Sequence, residues 1–120
     1  MPRPLVLKVT CAQDDPERAN QAFTVAAAAV AAGAEVSLWL TGEAAWYAVA
    51  GRGPDLGLAH AGSVEDLLGV VLDGGRVTVC TQCAMRRGIE ADAVRPGVRV
   101  AGAAVFAEEI LADGVQALVY

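Results

Sequence analysis

Two cysteines with two residues between them are the strongest chemical feature of this 120-residue sequence. Cys80 ends a short apolar run, Arg76–Cys80, that is typical of a β-strand. The segment that follows, Thr81–Arg87, is long enough for a short helix, which Gly88 can end. A thiol at the start of a helix lies near unpaired backbone N–H groups, which favour the reactive thiolate. The sequence therefore predicts Cys80 as a reactive thiol.

Cys83 lies one helical turn after Cys80, so the two side chains are expected to be neighbours. A Cys-x-x-Cys pair between a strand and a helix is compatible with reversible disulfide chemistry. Free cysteines are also among the most buried residue types, so a packing role stays open for each thiol. Thr81, Gln82 and Cys11 are the candidate neighbours of the pair. Cys11 would lie close to Cys80 if the first and third strands are adjacent.

The sequence predicts no metal and no cofactor. His60 is the only histidine, and a zinc site of three cysteines and one histidine usually draws its ligands from paired short spacings. Only one such pair is present, Cys80 and Cys83. Trp46 and Tyr47 follow the second predicted strand, where they either wall a pocket or pack in the core.

Arg86 and Arg87 are tempting partners for a thiolate. Arg87, however, is expected about 10 Å along the helix from Cys80, because an α-helix rises about 1.5 Å per residue. Direct contact with the thiolate is therefore not expected. Both arginines are predicted to favour the end of the helix or to meet a neighbouring chain.

Strands and helices are predicted to alternate along the whole chain. Alternation of this kind, with short apolar strands, implies a parallel sheet covered on both faces. We therefore predict an α/β fold, a three-layer α/β/α sandwich with a mainly parallel five-stranded sheet. Ligands of such folds bind at the carboxyl ends of the strands. The predicted strands are Leu5–Thr10, Glu35–Leu40, Arg76–Cys80, Val98–Gly102 and Val115–Tyr120, and the loops of interest are Cys11–Asp15, Thr41–Glu43, Cys80–Cys83 and Gly102–Ala104.

The predicted helices include one that begins near Pro16 and ends before Gly33, and others over Ser63–Asp73 and Ala103–Ala112. A short helical stretch is predicted over Ala44–Val49, and Ala50–Gly62 is predicted to be a loop. The first helix is small and apolar all round in its second half. That half is expected to be covered on more than one side.

Composition excludes several classes of protein. Hydrophobic residues make up 55% of the chain and charged residues 19%, which excludes a disordered chain. The net charge is −5, and the nine basic residues form no cluster, so direct nucleic-acid binding is not expected. The apolar run Phe23–Ala32 is too short to span a membrane, and the first residues do not form a secretory signal. One domain over residues 1–120 and a reduced, cytoplasmic setting are the expectations.

The sequence resembles the DsrE/DsrF-like family of small sulfur-relay proteins. The strongest part is Val77–Ile89, which contains Cys80 followed by the Arg86-Arg87-Gly88 segment. The Ala-rich helix ending in Gly33-Ala34-Glu35-Val36 and the closing Ala112-Asp113-Gly114-Val115 also match.

The resemblance implies an α/β/α fold and homo-oligomers built from trimers, often hexamers. It also implies that the cysteine at position 80 carries sulfur as a persulfide and exchanges it with protein donors and acceptors. Family members act in sulfur oxidation or reduction and in thiolation of tRNA. Many relay members lack a second cysteine at position 83, which leaves disulfide chemistry open.

Three hypotheses follow from the sequence. The first is a sulfur carrier or sulfurtransferase-like protein in which Cys80 accepts sulfur, and Cys83 resolves the persulfide by forming a disulfide. The second is a thiol–disulfide redox module that uses the Cys80–Cys83 pair. The third is a non-catalytic oligomeric protein whose cysteines only pack. The sequence does not decide whether the protein is an enzyme.

Overall fold

The computed structural model describes residues 2–120 and contains a five-stranded sheet with helices on both of its faces. Each predicted strand and helix is present. At most of their ends, the observed and predicted bounds differ by no more than one residue. The strands are β1 (Pro4–Val9), β2 (Glu35–Leu40), β3 (Arg76–Cys80), β4 (Val98–Ala101) and β5 (Gln116–Val119). The helices are α1 (Pro16–Ala31), α2 (Val64–Gly74), α3 (Thr81–Arg86) and α4 (Ala103–Leu111), with 3₁₀ segments at Gly42–Ala48 and Ala91–Ala93.

The strand order is β4-β3-β2-β1-β5, and every neighbouring pair is parallel. The predicted α/β/α fold is therefore confirmed, with a sheet that is fully rather than mainly parallel. Because β2 lies between β1 and β3, the first and third strands are not adjacent. The condition under which Cys11 would lie beside Cys80 is thus not met. Among residues 2–120, no helix combines the length and the hydropathy needed to cross a bilayer.

Helix starts follow the side chains that the sequence provides for them. At α1, the Asp15 carboxylate accepts a hydrogen bond from the Arg18 N–H at 3.4 Å, and Pro16 occupies the first turn. At α2, Ser63 Oγ accepts from the Asp66 N–H at 3.1 Å. The stretch predicted over Ala44–Val49 is instead a tighter 3₁₀ segment that begins at Gly42.

The main core lies between the sheet and the pair α1 and α2. Small side chains allow these two helices to approach closely: a Cβ added at Gly74 would lie 2.5 Å from Val30 Cγ1. Ala26 and Ala27 of the Ala-rich half of α1 are buried. The sheet and α2 thus cover two sides of this half, while Ala28, Ala31 and Ala32 are exposed. The largest buried core side chains on this side are Leu7, Val9, Phe23, Leu38, Leu40, Tyr47, Leu68, Val71, Val77 and Val79.

The opposite face of the sheet is fastened to α4 by a polar network around Glu109. Ser37 Oγ and Trp39 Nε1 donate to Glu109 Oε1, at 2.6 and 3.1 Å. The Arg99 guanidinium contacts Glu109 Oε2 and also donates to Thr78 Oγ1 at 2.9 Å. Since side chains alternate across a strand, these residues place a polar row beneath α4. Hydrogen bonds thus anchor this helix where its apolar contacts are few.

Replacing this carboxylate is expected to destabilise the fold. Glu109→Gln should lower the free energy of unfolding at neutral pH by about 1–3 kcal/mol, because the bonds from Arg99 and Ser37 lose their charged acceptor. Burial alone raises the pKa of Glu109, but hydrogen bonds from Ser37, Arg99 and Trp39 outweigh burial and lower the pKa overall. Stabilisation by Glu109 is therefore present above the pKa of an unfolded glutamate and is lost as pH falls through the folded pKa.

Urea unfolding at several pH values measures this effect. The difference between wild type and Glu109→Gln should be largest near pH 7 and should shrink as the carboxylate is protonated. The neighbouring Glu108→Gln is the matched control, because Glu108 is exposed and is expected to change stability little. Equal effects of the two substitutions would contradict the role of the network.

Candidate functional site

Cys80 lies at the junction of β3 and α3, at the carboxyl edge of the sheet. Its backbone is extended (φ −66°, ψ 127°), so it precedes the helix, which begins at Thr81. The residue is partly exposed. The sequence prediction of a cysteine between a strand and a helix is confirmed as a position in the fold.

The groups around the Cys80 sulfur favour its thiolate. Burial raises the pKa of Cys80, but hydrogen bonding from the backbone and thiol of Cys83 and from the Gln82 backbone lowers it. The positive charge of Lys8 contributes in the same direction. The net pKa of Cys80 lies below the ordinary value for a cysteine. At a given pH, a larger fraction of this thiol is therefore in the nucleophilic form.

Lys8 is a site neighbour that the sequence analysis did not select. It lies in β1, and its Nζ is 4.8 Å from the centre of the Phe106 ring on α4. This contact holds the ammonium group on the α4 side of the sheet. The sequence does mark Lys8 as unusual, because it is the only charged residue in the otherwise apolar strand Pro4–Val9.

Cys83 is tied to the loop that follows β2. The Gly42 backbone N–H donates to Cys83 Sγ at 3.3 Å. Gly42 has φ +53°, and a Cβ at this position would lie 2.2 Å from the carbonyl oxygen of Thr10. Only glycine therefore fits here without a shift of the backbone. The contact brings together Thr41–Glu43 and Cys80–Cys83, two of the loops that the sequence predicts at this edge.

Arg87 fastens the same two segments together. Its Nη1 donates to the Cys83 carbonyl oxygen at 3.1 Å, and its Nε donates to Glu43 Oε2 at 2.8 Å. The predicted preference of Arg87 for the end of the helix is consistent with these bonds, because Arg87 is the C-cap residue directly after α3. Its pairing with Glu43 was not predicted. Arg86 is exposed.

Cys11 lies in a different environment from Cys80. It follows β1, and only 4% of its surface is exposed. Burial raises the pKa of Cys11, and the negative charges of Asp14 and Asp15 raise it further. Its thiol is therefore expected to be mostly protonated and shielded from reagents at neutral pH.

Alkylation is expected to separate these two thiols. Iodoacetamide should label Cys80 at least about tenfold faster than Cys11 near pH 7, because the reagent attacks the exposed thiolate. Since the pKa of Cys80 is lowered, its rate should reach half-maximum at a lower pH than that of an unperturbed cysteine. Peptide mass spectrometry over time measures both rates. Preferential labelling of Cys11 would contradict the assignment of the reactive thiol.

The remaining candidates take structural positions. Tyr47 is 1% exposed and packs edge-on against Phe23, with ring centres 5.1 Å apart. It therefore packs in the core, one of the two positions predicted for it. Trp46 stacks against the Arg52 guanidinium at 4.6 Å. His60 lies in the loop with φ +58°. Within residues 2–120, His, Cys, Asp and Glu side chains do not gather in groups of three that could hold a metal.

The chain is a small α/β/α protein with a parallel sheet and a partly exposed cysteine between a strand and a helix. The DsrE/DsrF-like family model matches residues 5–119, and the chain belongs to this family. Members of the family often act in sulfur relay. Among curated proteins, no sequence match was found.

The fold is also similar to that of a solved structure, the ychN protein from E. coli. The two share 18% sequence identity with a TM-score of 0.81, and the match covers 98% of this chain and 99% of that one. At this identity, the similarity supports the fold alone.

Proposed function

We propose that this protein is a sulfur carrier that accepts sulfur as a persulfide on Cys80 and passes it to a partner protein. The observation that carries the proposal is the Cys80 thiol itself, which is partly exposed and whose pKa is lowered by its neighbours. The same features are absent from Cys11. Membership of a family that often acts in sulfur relay supports this assignment, and a reduced, cytoplasmic setting is part of it.

Each transfer is a thiol–persulfide exchange that needs no external oxidant. The Cys80 thiolate attacks the terminal sulfur of a donor persulfide, and the donor leaves as a thiolate. A thiolate of the acceptor protein then attacks the terminal sulfur on Cys80, and the Cys80 thiolate leaves with the electron pair. A thiolate whose pKa is lowered serves both steps, as nucleophile in the first and as leaving group in the second.

The location of Cys80 favours exchange with a protein. One cavity of about 360 Å³ opens near Ser37, Arg76 and Glu109, which lie away from the carboxyl edge of the sheet. Cys80 is not among its lining residues. An exposed edge is accessible to a thiol on another protein surface, so donor and acceptor proteins are the proposed partners.

Loading with sulfur tests the proposal. Reduced protein is incubated with inorganic polysulfide, separated from the reagent and measured by intact mass spectrometry. We expect a gain of one sulfur atom per chain that a thiol reductant removes, with the sulfur located on the peptide that contains Cys80. No gain in mass in either the wild type or Cys83→Ser, or sulfur located on Cys11, would overturn the proposal.

We also propose that the protein forms a homo-oligomer. The family resemblance suggests a trimer or a hexamer. β5 is an edge strand whose four residues are all exposed, and α4 contains no buried residue. Leu111 and Val119 are 79% and 65% exposed. Large exposed apolar side chains at an unpaired sheet edge are typical of a surface covered by another chain. We therefore place the contact between copies at α4 and β5.

Introducing positive charges at this surface is expected to dissociate the oligomer. Wild-type protein should show a multiple of the monomer mass in light scattering, and the double variant Leu111→Lys/Val119→Lys should shift to the monomer. Val70→Lys, on α2 at the other side of the sheet, is the control and should keep the assembly. A monomeric wild type at micromolar concentration would contradict the oligomer.

A thiol–disulfide redox module is the second candidate function. The hydrogen bond from Gly42 to Cys83 Sγ supports it, because it fixes the position of a second thiol in the first turn of the helix that follows Cys80. Equilibration with glutathione buffers would give a measurable potential for a Cys80–Cys83 disulfide. A redox module requires such a couple in the absence of any sulfur donor, whereas the carrier requires only Cys80.

A further inference from the structure

Cys83 is held in a defined position although the carrier function does not require it. Its sulfur accepts the Gly42 N–H, and its carbonyl oxygen accepts from Arg87. Gly42 is itself fixed against the Thr10 carbonyl oxygen, where a side chain would not fit. The Cys83 thiol is thus held by the loop after β2 and its backbone by Arg87, in contrast to a residue that only fills space.

The Cys83 sulfur is also placed next to Cys80. The backbone of Cys80 is extended before the helix, while Cys83 lies in the first turn of α3. The thiol and backbone of Cys83 both act on the Cys80 sulfur. A disulfide between the two needs their Cβ atoms about 3.5–4.5 Å apart, slightly closer than neighbours one turn apart on a regular helix. An extended residue at position 80 allows this approach without unwinding the helix.

We propose that Cys83 cleaves the Cys80 persulfide, releasing its terminal sulfur as hydrosulfide and leaving a Cys80–Cys83 disulfide. The inference rests on the proposed persulfide at Cys80. It adds a second activity, the reductive release of sulfur, to transfer of that sulfur to a partner. Both outcomes start from the same loaded protein.

The step balances in atoms and electrons. The Cys83 thiol loses its proton, and its sulfur forms a bond to Cys80 Sγ. The bond between Cys80 Sγ and the terminal sulfur breaks, and the terminal sulfur leaves with the electron pair and the proton as hydrosulfide. Cys83 is oxidised from a thiol to a disulfide, while the terminal sulfur is reduced. An external dithiol then restores both cysteines by thiol–disulfide exchange.

The opposite regiochemistry gives a different product. Attack of Cys83 on the terminal sulfur would move the persulfide from Cys80 to Cys83, with no hydrosulfide and no disulfide. The hydrogen bond from Gly42 fixes the Cys83 sulfur within the first turn of α3, the turn that Cys80 directly precedes. This placement favours attack on Cys80 Sγ.

A single-turnover experiment tests the inference. Reduced wild-type protein is loaded with inorganic polysulfide, separated from the reagent and kept without thiols. Hydrosulfide is then measured together with intact mass. We expect one hydrosulfide per loaded chain and a final mass lower than that of the reduced protein by two hydrogen atoms, with the disulfide within the peptide that contains Cys80 and Cys83.

Variants separate this activity from loading. Cys83→Ser should still load, and it should release hydrosulfide about tenfold or more slowly, because the intramolecular nucleophile is lost. Cys11→Ala is the control and should release as the wild type does. Wild-type protein that loads but keeps its persulfide, or carries it on Cys83, would overturn the inference and leave the carrier function intact. If neither the wild type nor Cys83→Ser ever carries added sulfur, the carrier function is overturned instead.

Discussion

The Cys80→Ser variant is expected to take up no sulfur from a persulfide donor under conditions that load the wild type. The hydroxyl of serine is not ionised at neutral pH and is a far weaker nucleophile toward sulfur than a thiolate. Of the two remaining cysteines, Cys11 is buried and has a raised pKa, whereas the Cys83 sulfur accepts a hydrogen bond from the Gly42 N–H. Intact mass spectrometry should therefore show an unchanged mass.

Two controls define this result. Cys11→Ala removes a buried thiol and should leave sulfur loading close to the wild-type level. Circular dichroism of Cys80→Ser should match that of the wild type, because the substitution is nearly isosteric at a partly exposed position. Loading that persists in a folded Cys80→Ser protein would remove the basis of the proposed function.

Gly42→Ala is expected to destabilise the fold strongly and to disturb the position of Cys83. At φ +53°, an alanine is strained by about 1–2 kcal/mol. Its Cβ would also lie 2.2 Å from the Thr10 carbonyl oxygen, a backbone atom that cannot rotate away. Since overpacking adds about 1–3 kcal/mol, we expect a total loss of about 2–5 kcal/mol. Denaturant unfolding measures this loss.

Gly51→Ala separates strain from close packing. Gly51 has φ +78°, but a Cβ there meets nothing within 4 Å. Gly51→Ala should therefore show the conformational strain alone, about 1–2 kcal/mol. Peptide mapping of alkylation rates should additionally show an altered rate of Cys83 labelling in Gly42→Ala but not in Gly51→Ala, since only in the former does the Gly42 N–H move away from the Cys83 sulfur. Similar losses of stability in both variants would argue against the contact with Thr10.

Local patterns in the sequence were sufficient to predict the elements of the fold. Arg76–Cys80 is a strand with the predicted bounds, because its alternating apolar residues and the preceding Gly74-Gly75 leave few alternatives. The starts at Asp15 and Ser63 follow from side chains that cap their own helix. Such signals involve residues only a few positions apart, so they do not depend on the tertiary arrangement.

Contacts between distant segments could not be predicted in this way. The order of the strands places β2 between β1 and β3, and so separates Cys11 from Cys80. The bond from Gly42 to Cys83 joins residues on different loops, and it depends on the register of β2 against β3. A loop at the carboxyl edge of β2 was expected near the site. The choice of the Gly42 N–H as the contacting group required the backbone geometry.

The pairing of β5 with β1 has a consequence for how the chain folds. Leu5 lies opposite Gln116, so the first and last strands meet only when nearly the whole chain is present. Pairings this distant in sequence slow folding, because a large loop must close before the contact forms. During synthesis on the ribosome, one edge of β1 stays open until β5 emerges. That open edge is the point at which a nascent chain is most exposed to pairing with a neighbouring copy.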